Sequence, residues 1–145
     1  IKDVRELHVG EFDALIMPGG FGVAKNLSDF AISGVHCQVQ ADVQAAVQAF
    51  AKAGKPVGLI CIAPALTAKL FGPGVTCTIG NDHDTAAAIA QMGAVHQECP
   101  VDEIVEDSTH KLVSTPAYML AQSISEAASG INKMVDRVLE LTQHA

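Results

Sequence analysis

The chain has 145 residues, 49% of them hydrophobic and only 4% aromatic, with 9 basic and 16 acidic side chains and a net charge of -7. This length predicts one domain, residues 1–145, able to bury a core of Ala, Val, Ile and Leu without disulfide staples. An acidic chain lacking a Lys/Arg cluster argues against nucleic acid or membrane as a partner, and no apolar run is long enough to span a bilayer.

In chain order, "FDALIMPGG" predicts a strand over Ala14 to Met17, stopped by Pro18-Gly19-Gly20. Its continuous apolar run, rather than an alternating one, fits a parallel strand covered on both faces. "GFGVAKNLSDFAISG" predicts a Gly-rich loop with one irregular helical turn. "VQADVQAAVQAFAKAG" is a helix: Val39, Val43, Ala46 or Val47, and Phe50 recur at helical spacing and Gly54 closes it. "KPVGLIC" is a second parallel strand, and "APALTAKLF" is a helix beginning just past Cys61 with Pro64 in its first turn. "VTCTIG" predicts a third strand, followed by a helix in "NDHDTAAAIAQMG" capped by Asp82 or Asp84 and stopped at Gly93. Ile104-Val105 and Leu112-Val113 flank a polar turn and read as a hairpin. "SISEAASGINKMVDRVLELTQ" is a long amphipathic helix. Its expected buried stripe is Ile124, Ala127, Ala128, Ile131, Val135, Val138 and Leu141, with Gly130 permitting a close contact. Strand and helix in alternation give an α/β fold: a doubly wound, mostly parallel sheet with helices on both faces, which binds ligands beyond the carboxyl ends of its strands.

Two segments sit at such ends, Pro18-Gly19-Gly20 and Cys61. A sharp turn from strand to helix would push the Cys61 side chain out at the top of the sheet, as in a nucleophile elbow. It would also place the Ile62 N–H and a helix N-terminus beside the sulfur, which favours the thiolate. Gly20 could supply a second donor for an oxyanion, its missing Cβ letting a carbonyl approach. The strict elbow has small residues two before and two after the nucleophile, whereas here Leu59 and Ala63 stand there. On spacing alone, Cys61 reads equally as a nucleophile or as a small buried hydrophobe. Cys37, Cys77 and Cys99 read as structural or surface thiols. No C-x-x-C pair occurs, so all four are expected reduced, in a cytoplasmic protein.

The segments "DALIMPGGFGVAKNLSDFA", "GKPVGLICIAPAL", "TIGNDHDTA" and "STPAYMLAQSISEAASGI" together resemble the ElbB family. These are glyoxalase-like proteins of the PfpI-type superfamily, which also holds the class I glutamine amidotransferase domains. The resemblance runs through the whole chain and implies a flavodoxin-like, three-layer sandwich. It implies Cys61 as nucleophile and an oxyanion pocket from the Gly20 and Ile62 amides. It further implies a glyoxalase III-like lyase that converts glyoxal-type dicarbonyls to hydroxy acids without glutathione, in some accounts a deglycase, with no metal or organic cofactor. A homodimer is the expected assembly. Members of the family begin with a strand and helix carrying a glutamate that faces the cysteine. The chain is therefore expected to be incomplete at its N-terminus, with that segment supplied in cis or by another chain.

The residue after the nucleophile is Ile62 rather than His, which disfavours the Cys-His-acid triad of amidotransferases. His83, in the loop after the third strand, is the candidate base, and Gly19, Lys25, Asn26, Pro116 and Tyr118 are candidates to line the pocket. Asn26 has an alternative role as a turn cap, and Tyr118 as a packing group. The alternatives to an enzyme are a redox-sensing binding protein with an oxidisable Cys61, or a non-catalytic partner subunit.

Overall fold

The computed structural model describes residues 1–143, so His144 lies outside the described residues. The main sheet has four strands: β1 (Leu15–Met17), β2 (Val57–Ile60), β5 (Val105–Asp107) and β6 (Leu112–Thr115). Their order is β1-β2-β6-β5. β1 pairs in parallel with β2, and β2 with β6, through Val57 opposite Leu112 to Ile60 opposite Thr115. β5 runs antiparallel to β6, the hairpin expected around the polar 108–111 turn.

Every residue of β2 and β6 is buried, the consequence of helices on both faces. Side chains alternate between the two faces. Val57, Leu59 and Leu112 point into one core, shared with α3 (Ala41–Lys52), α4 (Thr67–Phe71) and α5 (His83–Met92) through Val47, Phe50, Leu70 and Ile89. Ile60 and Val113 point into the other, closed by Met134 and Val138 of α6 (Ile124–Thr142). The result is the α/β, flavodoxin-like, mostly parallel sandwich expected. β1 lies at one edge of the sheet, and Ile16 on it is 36% exposed.

The helix expected over 39–54 starts two residues later, because Val39 pairs with Ser28 in an isolated bridge and the Gln40 side chain caps Val43 N–H at 2.9 Å. The long C-terminal helix begins as expected, with Ser123 as its cap. Of its expected stripe, Ala127 and Val138 are buried and Ile131, Val135 and Leu141 pack against the second core, joined by the buried Gly130 and Met134, whereas Ile124 in the first turn is corrected to an exposed residue, 79% accessible. The close contact foreseen at Gly130 is there. A Cβ at this position would collide with the carbonyl oxygen of Val101 and lie 2.7 Å from Thr115 Oγ1.

The third strand departs from expectation. β3 (Thr76–Cys77) pairs not with the main sheet but with β4 (Val95–His96), a two-residue strand that no periodicity could flag. It is tied to the main sheet by side chains instead. Asp107 accepts from Thr76 N–H at 2.9 Å, and Ser114 Oγ from Thr78 N–H at 3.0 Å. Those two acceptors occupy the place of a backbone ladder and satisfy the partly buried N–H of Thr76 and the buried N–H of Thr78.

Candidate functional site around Cys61

β2 ends at Ile60, yet the Cys61 N–H still donates to the Thr115 carbonyl at 3.0 Å, so the ladder with β6 continues one residue further. At Cys61 the chain turns into the left-handed region, with φ of +65°. An L-residue adopts that conformation only where its surroundings hold it. The continuous helix expected next is replaced by a tighter 3₁₀ turn, Ala63–Leu66, which leads into the five-residue α4. The Pro64 carbonyl is engaged by Thr67 Oγ1 at 2.7 Å and by Cys77 Sγ at 3.6 Å, which holds the turn tight.

The loop after β1 lies directly on this elbow. A Cβ on Gly19 would sit 2.6 Å from Cys61 Cβ and 2.7 Å from the Ile60 carbonyl oxygen, so only glycine fits. Gly20 follows with φ of +94° and ψ of 167°, a glycine conformation, and starts α1 (Phe21–Lys25). A hollow of about 420 Å³ opens beside Cys61. Gly20 and Ile62 line it together with Cys61. Its remaining walls are Phe21 and Ala24 of α1, Phe30 and Ala31 at the start of α2 (Phe30–Ser33), and Met119. Among the described residues, neither the Gly20 nor the Ile62 N–H is used by a hydrogen bond.

The structure thus brings Cys61, Gly20 and Ile62 together, with Gly19 behind the elbow rather than on the wall. The other candidates lie elsewhere. Asn26 is exposed and caps α1 through its N–H to the Gly22 carbonyl at 2.8 Å, and Lys25 sits 5.4 Å from the centroid of the Phe21 ring. Pro116 is buried against Gly80, and Tyr118 is 57% exposed, its neighbour Met119 taking the place on the wall because the 3₁₀ turn Ala117–Met119 rotates it inward. His83 is exposed at the first position of α5 and lines a different hollow together with His96, so it is not placed to serve Cys61. The Asp82 side chain, accepting from Thr85 N–H at 3.0 Å, fixes where that helix begins and carries His83 away. Phe21, Ala24, Phe30, Ala31 and Met119 were not anticipated. The one signal for them was position, Phe21 following Gly20 directly, and aromatic residues being scarce.

Of the four cysteines, Cys61 is the one that is not buried. Burial pushes the other three thiols up, Cys77 and Cys99 each to about 11. No carboxylate, imidazole or amine lines the Cys61 hollow among the described residues. The arrangement places a sulfur beside a hollow with apolar walls, with the backbone of Gly20 and Ile62 alongside it.

Comparison with known proteins identifies the family and supports the fold. The DJ-1/PfpI family matches residues 2–114. The chain is 43% identical to human "glutamine amidotransferase-like class 1 domain-containing protein 3, mitochondrial" over 98% of its own length and 56% of that protein's. It is 41% identical to the rat "ES1 protein homolog, mitochondrial" over the same shares, 98% and 56%. The chain spans about half the length of these curated relatives. Among solved structures, an isoprenoid biosynthesis protein with an amidotransferase-like domain from Ehrlichia chaffeensis superimposes with a TM-score of 0.86 at 34% identity, covering 97% of this chain and 64% of that one. The mitochondrial relatives overturn the expectation of a cytoplasmic protein, because reduced thiols do not distinguish one reducing compartment from another.

Proposed function

The chain belongs to the DJ-1/PfpI family, and from that premise we propose that it is a cysteine-dependent enzyme converting glyoxal-type dicarbonyls to hydroxy acids without glutathione. Residues 1–145 belong in this reading to one class I glutamine amidotransferase-like unit that works as a homodimer. The observation that carries it is Cys61, held at φ of +65° at the end of β2 beside a hollow that Gly20 and Ile62 also line.

The deprotonated Cys61 sulfur adds to the aldehyde carbon. A C–S bond forms, the carbonyl π electrons move to oxygen, and that oxygen takes a proton to give a hemithioacetal. The Gly20 and Ile62 N–H groups stabilise the oxyanion on the way, each contributing about 2.7–4 kcal/mol. The proton on the former aldehyde carbon then moves to the neighbouring carbonyl carbon, through an enediol, which leaves a thioester. Water cleaves the thioester, releasing the hydroxy acid and the thiol. One carbon is oxidised and its neighbour reduced, so no external redox partner is required. No base lines the hollow among the described residues, so water or a group beyond them moves the proton between carbons.

Cys61→Ser is expected to bring glyoxal consumption, followed by glycolate formation, down to the buffer rate, while urea unfolding stays within about 1 kcal/mol of the parent. Turnover undiminished in that variant overturns the proposal. A second reading is a redox-responsive binding protein, favoured by Cys61 being the one accessible thiol without a base on the walls around it. Selective oxidation of Cys61 by mild peroxide, in a chain that consumes no glyoxal, would favour it.

A further inference from the structure

We infer that His96 is an acid-sensitive clasp: its neutral ring holds residues 78–80 in place behind one wall of the Cys61 hollow, and protonation of that ring releases them. The contact is made by the ring itself. Ile79 N–H donates to His96 Nε2 at 3.2 Å. A ring nitrogen that accepts is bare, so the proton sits on Nδ1. The imidazolium donates at both nitrogens and cannot make this bond.

Residues 78–80 follow β3 outside any strand, and side chains replace a ladder there. Ser114 Oγ accepts from Thr78 N–H at 3.0 Å, Thr78 Oγ1 accepts from Gly80 N–H at 3.0 Å, and His96 takes the N–H between them. Of these three acceptors, the imidazole is the one that titrates near neutral pH. Ile79 is fully buried, so its released N–H stays unpaired unless the backbone moves. Gly80 carries such a movement to the site. It has φ of +102° and lies against the turn that bears Met119: a Cβ on it would sit 3.0 Å from Leu120 Cδ1 and 3.3 Å from Pro116 Cβ. Met119 lines the Cys61 hollow.

The surroundings of the ring set the sign. Burial disfavours the imidazolium and holds His96 below the ordinary 6.5, against the opposing charge of Glu98. Cys77, opposite His96 on β3, is uncharged, burial having pushed its thiol up to about 11. α5, packed on β4, brings His83 to the hollow that His96 lines, with Asp84 next to it in the chain. With the folded-state pKa lowered, the clasp stabilises fully above pH 6.5 and is lost progressively as the pH falls below that value.

The test is NMR on the full chain, labelled with 15N and with 13C at the methionine methyls. At pH 7.5 the imidazole nitrogen signals of His96 are expected to show Nδ1 protonated and Nε2 bare, and the opposite tautomer overturns the inference. Exchange of the Ile79 amide with D2O, corrected for its intrinsic pH dependence, should lose protection by up to about tenfold between pH 7.5 and 5.5, the ceiling set by a released imidazole that titrates near 6.5. The Met119 methyl signal should shift with the same midpoint. His96→Gln puts an oxygen acceptor that does not titrate in place of Nε2, and both changes should disappear in it. A loss of protection below about twofold in the parent, a Met119 signal indifferent to pH, or the same changes in His96→Gln each overturn the inference. None of these readouts involves turnover at Cys61, so failure of the enzymatic reading and failure of the clasp are told apart.

Discussion

Cys61 occupies a conformation that costs an L-residue roughly 1–2 kcal/mol relative to glycine. Its φ of +65° is imposed from three sides: the N–H bound to Thr115, Gly19 pressed against Cβ, and the 3₁₀ turn starting at Ala63. Residues held in such strained conformations cluster at functional sites. Cys61→Gly is therefore expected to unfold at higher urea than Cys61→Ala, by about 1 kcal/mol, although glycine has the more entropic unfolded state. Equal midpoints for the two variants would mean that the elbow is relaxed. The sequence located this residue, because a buried apolar run ending in Cys and Pro is a local pattern. It could not supply the φ angle, which depends on Gly19, 42 positions away in the chain.

Among the elements, α6 shows how a single hydrogen atom sets a packing distance. Gly130 lets the helix rest on the Val101 carbonyl and on Thr115, whose hydroxyl donates to the Glu103 carbonyl at 2.8 Å. Lys133 reaches Glu103 at 2.8 Å and Arg137 reaches Glu106 at 2.7 Å, further anchors between α6 and the region of the hairpin, each contributing little because they are solvated. Gly130→Ala gains up to about 1 kcal/mol of helix propensity, but the new methyl meets a backbone carbonyl that cannot swing aside. Overpacking at about 1–3 kcal/mol outweighs that gain, so the variant should show a lower urea midpoint. A higher midpoint would show the helix free to slide. The helices α3, α5 and α6 and the hairpin were legible because each carries its own period, caps or turn, whereas the short α1 and α2 fell in a segment that reads as a Gly-rich loop. β3 and β4 were not, since two residues are too short to show a period and their tie to the sheet is made by Asp107 and Ser114 side chains.

For the whole molecule, the buried thiols set an alkaline limit. Cys77 is fully buried, and burial lifts it from an ordinary 9.0 to about 11. The unfolded chain ionises this thiol near pH 9 while the folded chain keeps it protonated to about pH 11. Stability is therefore full below pH 9 and falls between pH 9 and 11, by about 2–3 kcal/mol from this group. Urea unfolding of the parent and of Cys77→Ala at pH 8 and pH 11 checks this. The variant starts less stable and should lose less on the rise, and an equal loss in both would show that Cys77 contributes nothing to the limit.

The amino-acid sequence by itself determined the layering: apolar runs at Ala14–Met17 and Val57–Ile60, alternating with amphipathic helices, admit little besides a parallel sheet covered on both faces. It also determined that Cys61 stands at a strand end. Only the tertiary structure decided what surrounds the sulfur. The walls of the hollow come from residues 20–31, 61–62 and 119, and His83, Asn26 and Tyr118 were left outside it. Periodicity reports which face of one element is buried, whereas a cavity is enclosed by segments that meet through the order of the strands and the packing between layers.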